Sequence, residues 1–330
     1  MYLLIKIIYL KSLKNIFYSL EMKRSISIVI PTFGRPEILK DSLDCILDSC
    51  KRYEIPIYIS DDSIDSDTEL IIQEIKLKYP FISYKRNIPS LGHDNNLMHS
   101  LKLPNSDFVW LIGDSILINE NAISNMIDFI SQNHYDIILM NTEARIDYPS
   151  KDYNNSNEIL AKFGWHSNLT GVAIYSKNVI ALADKINFDN CMNFPQFTLI
   201  YNYLSINCSF YWVNEICLKS NNKKKSYWVK HVFSTWIDDW ENAVINLPES
   251  YDQTHKKNAI ISHSKKTKIF GLKSLLNLRM QGIYNWKKFK EYEDSLSFHS
   301  DLRKTILINI AIFPRVIIKF CHRILSKIKS

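Results

Sequence analysis

Residues 25–47, SISIVIPTFGRPEILKDSLDCIL, contain the change of pattern that decides the fold. Ile26–Pro31 is a continuous apolar run rich in β-branched side chains, which predicts a strand buried on both faces. Pro36 suits the first position of a helix, and apolar residues then recur at helical spacing from Ile38 to Leu47. A buried strand followed at once by an amphipathic helix predicts a βαβ arrangement with a parallel sheet.

The same alternation continues as far as residue 141. The elements predicted there are strands at 55–60, 81–84, 108–112 and 136–140, and helices at 68–79, 95–103 and 121–130. Beyond residue 141 the pattern loosens. The polar stretch 147–158 is predicted to be a loop, and the chain from Trp228 onward is predicted to be mostly helical. The predicted fold class is therefore α/β, with a mainly parallel central sheet flanked by helices and a helical C-terminal extension.

The charge distribution divides the chain. Residues 251–330 carry 17 Lys/Arg against 5 Asp/Glu, whereas residues 1–250 carry 24 against 29. We expect an N-terminal extension over residues 1–21, a catalytic domain over 22–220 and a basic region over 221–330. The extension is either a helix lying on a membrane or a stretch that precedes a true start at Met22.

The glycine content excludes several nucleotide-binding classes. The chain has 7 glycines in 330 residues, and none forms a G-x-G pair or begins a G-x-x-x-x-G-K motif. Rossmann dehydrogenases, P-loop NTPases and kinases hold phosphates with such glycine loops. The six cysteines form no C-x-x-C pair, which indicates reduced thiols and a cytoplasmic location.

Polar residues follow the predicted strands at the points where the chain turns back. They are Thr32–Arg35 after the first strand, Asp61–Ser63 after the second, Gly92–Asn96 after the third and Asp114 after the fourth. The carboxyl ends of parallel strands lie at one edge of a sheet, where α/β proteins bind ligands. Carboxylates at neighbouring strand ends suit a nucleotide base, a ribose or a metal-bound diphosphate.

In order along the chain, SISIVIPTFGRPEILKDSLDCIL, YISDDS, SLGHDNN and FVWLIGDSILINENAI resemble the family 2 glycosyltransferases of the GT-A fold. The subgroup that makes bacterial surface polysaccharides such as O-antigen and capsule is the most similar. The resemblance implies transfer of a glycosyl group from a nucleotide sugar to an acceptor hydroxyl, with inversion. It also implies that the acceptor is a lipid-linked saccharide.

The resemblance assigns the start of the nucleotide pocket to Pro31, Thr32 and Phe33, with Phe33 against the base. Asp62 would hydrogen-bond the base, with Asp61 beside it. Other roles for these residues stay open. The two aspartates are also suited to cap the following helix, and Phe33 is also suited to the core.

The same resemblance places Asp114 at the ribose or at the diphosphate and its Mg²⁺ or Mn²⁺. Arg35 and Asp94 are expected to contact phosphate and sugar, although Asp94 also suits a helix N-cap. The family has two or three acids after the fourth strand, but here Ser115 and Ile116 follow Asp114. A lone carboxylate is a poor divalent-cation site. A weakly bound metal, a metal-independent enzyme and an inactive relative therefore all remain open.

Two further groups are needed for catalysis. An inverting transfer requires a base, and the candidates in the second half are Asp184, Asp189, Glu143 and Asp147, of which Asp189 is preferred. Negative charge on the leaving nucleotide must be neutralised. Lysines 223–225, with Lys230 and His231, are expected to form a loop that either closes over the diphosphate or is merely solvated.

The C-terminal tail, residues 303–330, has basic residues every fourth position from Arg315 to Lys327, with apolar residues beside them. This pattern predicts either a helix on an anionic membrane or a helix packed on the body. The former would place the protein on the inner face of the cell membrane.

A catalytically silent glycosyltransferase-like binding protein is the main alternative function. A nucleotidyltransferase is disfavoured because no glycine- and arginine-rich loop follows the first strand. Nucleic-acid binding is disfavoured because no recognised module accompanies the charge.

Overall fold

The computed structural model describes residues 24–223 and 227–320. The extension predicted for residues 1–21, lysines 224 and 225, and the last ten residues of the basic tail lie outside these ranges.

The first half of the chain forms the parallel part of the sheet. Its strands are β1 (Ile26–Thr32), β2 (Ile57–Asp61), β3 (Ile82–Arg86) and β4 (Phe108–Leu111), in the spatial order β3-β2-β1-β4. All three pairings are parallel, and the side chains of β4 are buried throughout. The continuous apolar runs in the sequence therefore mark strands covered on both faces.

The helices that connect these strands are α1 (Pro36–Tyr53), α2 (Asp67–Lys76) and α3 (His93–Leu101), and α4 (Glu120–Gln132) follows β4. Pro36 opens α1 as predicted, and α1 ends at Glu54, whose backbone is left-handed with φ of 54°. Such a residue is a common helix stop. The α/β alternation predicted up to residue 141 is thus confirmed.

The second half completes a mixed sheet. Its strands are β5 (Ile116–Ile118), β6 (Ile137–Thr142), β7 (Lys151–Tyr153), β8 (Ala173–Ser176) and β9 (Phe210–Ser220). Among the described residues, nine strands form one sheet, in which β8 lies antiparallel between β4 and β6. The loop predicted over residues 147–158 is wrong. Pairing with β9 makes Lys151–Tyr153 a strand, and the Asn155 side chain caps a helix that begins at Ser156.

Helices make up most of the remainder. They are α5 (Ser156–Ser167), α6 (Lys177–Leu182), α7 (Pro195–Ile206), α8 (Trp240–Ile245), α9 (Gln253–Thr267), α10 (Leu272–Gln281), α11 (Trp286–Glu291), α12 (Glu293–His299) and α13 (Lys304–Ile312). Trp236 and Trp240 are buried and both contact the Phe194 ring. No helix in residues 24–223 and 227–320 has the length and apolar content to cross a membrane.

Candidate active site

A cleft of about 640 Å³ opens at the carboxyl ends of β1, β2 and β4. Pro31, Thr32 and Phe33 line it from β1 and the following turn, and Asp62 and Asp114 line it from the ends of β2 and β4. Since parallel strands present these ends at one edge, the fold brings together residues that are up to 83 positions apart in sequence. Phe33 is 55% exposed at the cleft wall, so it is not a core residue.

Asp114 lies at the base of the cleft with only 2% of its surface exposed. One of its carboxylate oxygens, Oδ2, accepts a hydrogen bond from the Thr32 hydroxyl at 3.0 Å. The same oxygen forms an ion pair with the Arg35 guanidinium at 2.9 Å. Ser42 in α1 donates to the Asp114 backbone carbonyl at 2.6 Å. A charge this deeply buried needs such a partner. Arg35, in the turn between β1 and α1, supplies this partner to Asp114.

Asp62 holds the turn that follows β3. Its carboxylate accepts hydrogen bonds from the Ser90 hydroxyl at 2.6 Å, the backbone amides of Leu91 and Gly92 at 2.7 and 2.9 Å, and the Asn87 side chain at 3.2 Å. Burial raises the pKa of this carboxyl, but the four hydrogen bonds outweigh burial and hold the pKa below its ordinary value. Asp62 thus shapes one wall of the cleft.

Asp61 is not among the residues that line that cavity. Its two carboxylate oxygens accept hydrogen bonds from Ser63, at 3.0 Å from the amide and 2.5 Å from the hydroxyl, and from the Tyr84 hydroxyl at 2.8 Å. The Ser63 hydroxyl also accepts from the Gly34 amide at 2.7 Å, and Gly34 has a φ of 60° that favours glycine. Asp61 therefore fixes the turn beside Phe33 without lining the cleft.

Asp94 lies next to the cleft, at the start of α3. Its Oδ2 accepts from the Asn193 amide at 2.8 Å, and its Oδ1 contacts His93 Nδ1 at 2.6 Å. The Asn193 side chain also donates to Asp239 Oδ2 at 2.8 Å. His93 and Asn193 line the cleft. Burial raises the pKa of Asp239; the Asp238 and Asp94 charges add to this rise, against the hydrogen bond from Asn193.

The structure does not bring the preferred base candidate to this cleft. Asp189 is exposed and does not line the cavity, and Asp147 is exposed as well. Asp184 pairs with Lys102, and Glu143 pairs with Arg145 at 3.0 Å. Of the loop lysines described, Lys223 contacts Asp41 of α1 at 2.7 Å.

Sequence reasoning missed two neutral residues of the cleft, Asn168 and Gln196. Asn168, Gln196 and Trp236 line it and are 5%, 2% and 8% exposed. Within the described part of the chain, both side-chain polar atoms of Asn168, Gln196 Oε1 and Trp236 Nε1 have no hydrogen-bond partner. The Gln196 side-chain nitrogen donates to the Asn168 backbone carbonyl at 2.5 Å, which orients the Gln196 side chain. Buried polar atoms left unpaired are costly, and a bound water or a ligand is one way to satisfy them.

The residues present do not fit a divalent cation. The one acid of the β4 turn, Asp114, has Oδ2 engaged by a hydroxyl and a guanidinium, and Ser115 and Ile116 follow it. In residues 24–223 and 227–320 no three His, Cys, Asp or Glu side chains converge as a metal site. An arginine beside a carboxylate also repels a cation brought to that carboxylate.

Comparison with known families agrees with this geometry. The model of Glycosyl transferase family 2 matches residues 27–192, half of the chain. The chain belongs to glycosyltransferase family 2. The resemblance of the strand-end motifs to this family is thereby confirmed.

A relative of this glycosyltransferase is the abequosyltransferase RfbV of Salmonella typhimurium, 35% identical over 101 residues. The matched stretch covers 30% of this chain and 30% of that protein. The chain therefore aligns with less than a third of the relative's length.

Solved structures share the fold. S. aureus TarS 1–349 in complex with UDP-GlcNAc gives a TM-score of 0.53 at 15% identity, covering 78% of each chain. The mannosyltransferase PcManGT from Pyrobaculum calidifontis, in complex with GDP-Man and Mn²⁺, gives 0.55 at 12% identity, covering 88% of this chain and 87% of that one. These likenesses confirm the GT-A-like α/β fold predicted for the glycosyltransferase.

Proposed function

We propose that this enzyme transfers a sugar from a nucleoside-diphosphate sugar to a lipid-linked saccharide, with inversion, during synthesis of a cell-surface polysaccharide such as O-antigen or capsule. The observation that carries the proposal is the composition of the cleft. Charged side chains, Arg35 and Asp114, line it at the strand ends, and it is also lined by Asn168 and Gln196, neutral residues with unpaired buried polar atoms. A charged diphosphate joined to a neutral sugar needs both kinds of side chain.

We expect the charged and the neutral side chains of the cleft to orient the donor. Phe33 offers an exposed ring for the nucleotide base beside the turn held by Asp62. The ribose and diphosphate lie over Thr32, Asp114 and Arg35. The sugar hydroxyls supply the hydrogen-bond partners that Asn168, Gln196 and the Trp236 indole lack. Binding the sugar would thus recover hydrogen bonds that folding leaves unmade.

The chemistry is a single displacement. The acceptor hydroxyl oxygen attacks the anomeric carbon, a new glycosidic bond forms, and the bond to the diphosphate oxygen breaks, which inverts the anomeric configuration. A base takes the hydroxyl proton. Asp189 is the choice from the sequence, but it is exposed; we favour Asp239, whose carboxylate accepts a hydrogen bond at 2.8 Å from the side chain of Asn193, a residue that lines the cleft. The raised pKa of Asp239 favours proton acceptance.

Transfer is tested by incubating the protein with UDP-, GDP-, CDP- and dTDP-sugars and a membrane extract containing lipid-linked saccharides. Release of one nucleoside diphosphate that depends on the acceptor is the expected result, and NMR of the product should show the inverted anomer. Gln196→Leu should raise the KM for the donor. Nucleotide binding without turnover would instead support the catalytically silent binding protein. No binding of any nucleotide would contradict both functions.

The C-terminal helices favour a membrane-bound acceptor. Large apolar side chains are 43–78% exposed at Trp286, Phe298, Phe313, Val316 and Phe320. Exposed apolar groups next to the basic residues of the tail suit the surface of an anionic bilayer. We propose that this C-terminal apolar surface docks the enzyme on the inner face of the cell membrane, beside its lipid-linked acceptor.

Membrane docking is measured by co-sedimentation with vesicles of phosphatidylglycerol and phosphatidylcholine. The protein should bind anionic vesicles and release at high salt, since the charge attraction is screened. Val316→Asp with Phe320→Asp should abolish binding. The matched control is Leu77→Asp, because Leu77 is also exposed, at 89%, but lies in the first half of the chain. Equal loss in both variants would contradict a specific docking surface.

A further inference from the structure

The pair formed by Arg35 and Asp114 occupies the position at which the strand-end carboxylate would meet a metal-bound diphosphate. We propose that this glycosyltransferase binds its donor and neutralises the leaving diphosphate without a divalent cation, using the Arg35 guanidinium instead. The inference rests on the proposed donor, a nucleoside-diphosphate sugar.

The first argument is the state of the carboxylate. Asp114 is 2% exposed, and Arg35 Nη2 lies 2.9 Å from its Oδ2, to which the Thr32 hydroxyl also donates. The negative charge that would attract a cation is therefore already paired. Placing a divalent cation on that oxygen requires displacing both donors and bringing the cation against a guanidinium.

The second argument is the position of the arginine. Arg35 lines the cleft and its side chain is 28% exposed, so the guanidinium is accessible as well as anchored. Its planar group has five N–H donors and matches pairs of phosphate oxygens. The contact with Asp114 holds the group at the strand-end floor, which reduces the ordering cost of binding.

A second cationic side chain lines the cleft as well. Arg145 also lines the cleft, and Glu143 Oε2 holds its guanidinium at 3.0 Å. Glu143 and Ala144 both have positive φ, 54° and 52°, so this short turn is set in an uncommon backbone conformation. Lys223, by contrast, is paired with Asp41 on α1. Two arginines can thus share the charge of a leaving diphosphate.

Isothermal titration calorimetry with UDP, GDP, CDP and dTDP tests the proposal, each in EDTA and in Mn²⁺. We expect one nucleotide to bind with a dissociation constant that agrees in both buffers within about threefold, well under the 1.4 kcal/mol that corresponds to tenfold. Arg35→Gln should weaken that binding by about tenfold or more, the loss expected for hydrogen bonds to a charged group. Arg303→Gln, exposed on the surface outside the cleft, is the matched control and should bind as the wild type does.

Arg35→Gln leaves a buried carboxylate unpaired and is therefore also made together with Asp114→Asn, which removes both charges. The double variant should fold, as shown by circular dichroism, and still bind poorly. Binding that requires Mn²⁺, or wild-type affinity in the double variant, would overturn the inference while leaving the glycosyltransferase function intact. Absence of binding for all four nucleotides in both buffers would instead overturn the proposed donor, and the inference with it.

Discussion

Replacing Asp62 with asparagine should destabilise the protein through the turn after β3. The wild-type carboxylate is 3% exposed and accepts four hydrogen bonds, two on each oxygen. Asparagine retains one carbonyl oxygen but presents an NH₂ group to the other two donors. Whichever way the amide turns, at least one backbone amide, Leu91 or Gly92, loses its acceptor.

The size of the effect follows from these contacts. A hydrogen bond to a charged group contributes roughly 1.5–3 kcal/mol, so two lost bonds cost about 3–6 kcal/mol before relaxation. Ser90 lies at the surface and water can replace part of its bond, which lowers the expected loss to about 2–4 kcal/mol. Asp65→Asn is the matched control, because its exposed carboxylate accepts one local hydrogen bond at 3.2 Å from the Asp67 amide; we expect its effect to stay within about 0.5 kcal/mol.

Urea unfolding at pH 7, followed by tryptophan fluorescence, measures both variants. The pKa of Asp62 is lower in the folded protein than in the unfolded chain. Its stabilisation is therefore complete above the ordinary value of about 4 and is lost as the pH falls through the folded pKa. The difference between wild type and Asp62→Asn should shrink in the same way. A loss no greater than that of Asp65→Asn would refute the reasoning.

Three further predictions concern stability and catalysis. Burial lowers the pKa of His166 to about 4 and of His263 to about 3. Since histidines of the unfolded chain take up protons below about 6.5, the urea midpoint should decrease when the pH is lowered from 7 to 5. An unchanged midpoint would contradict burial of these histidines in the neutral form. Gly282→Ala should cost about 1 kcal/mol in thermal unfolding, because the φ of Gly282 is 84° and a Cβ would lie 2.8 Å from an arginine guanidinium; no loss would show that the backbone relaxes. Asp239→Asn should lower kcat about 100-fold, as removal of a general base does, with little change in the donor KM. Asp189→Asn should leave kcat near the wild-type value. The reverse ranking would support Asp189, the base preferred from the sequence.

Some of the fold and the site could be predicted from local pattern alone. The β-branched run at Ile26–Pro31 specifies a buried strand because few other structures cover both faces of such a segment. Once the strands are parallel, Thr32, Asp62 and Asp114 must lie at one edge of the sheet, since they follow strands that run in the same direction. The parallel half of the sheet and the strand-end side of the cleft therefore follow from residues 25–130.

The tertiary structure decided what each of those side chains contacts. The sequence does not show that Arg35 pairs with Asp114, 79 positions later, or that Asp62 closes the turn after β3. Nor does it show that Asn168 and Gln196 meet in one cleft with unpaired polar atoms. Strand and helix patterns repeat over a few residues, so they can be recognised from neighbouring side chains. Contacts at a site depend instead on register and packing between distant segments, which only the assembled chain determines.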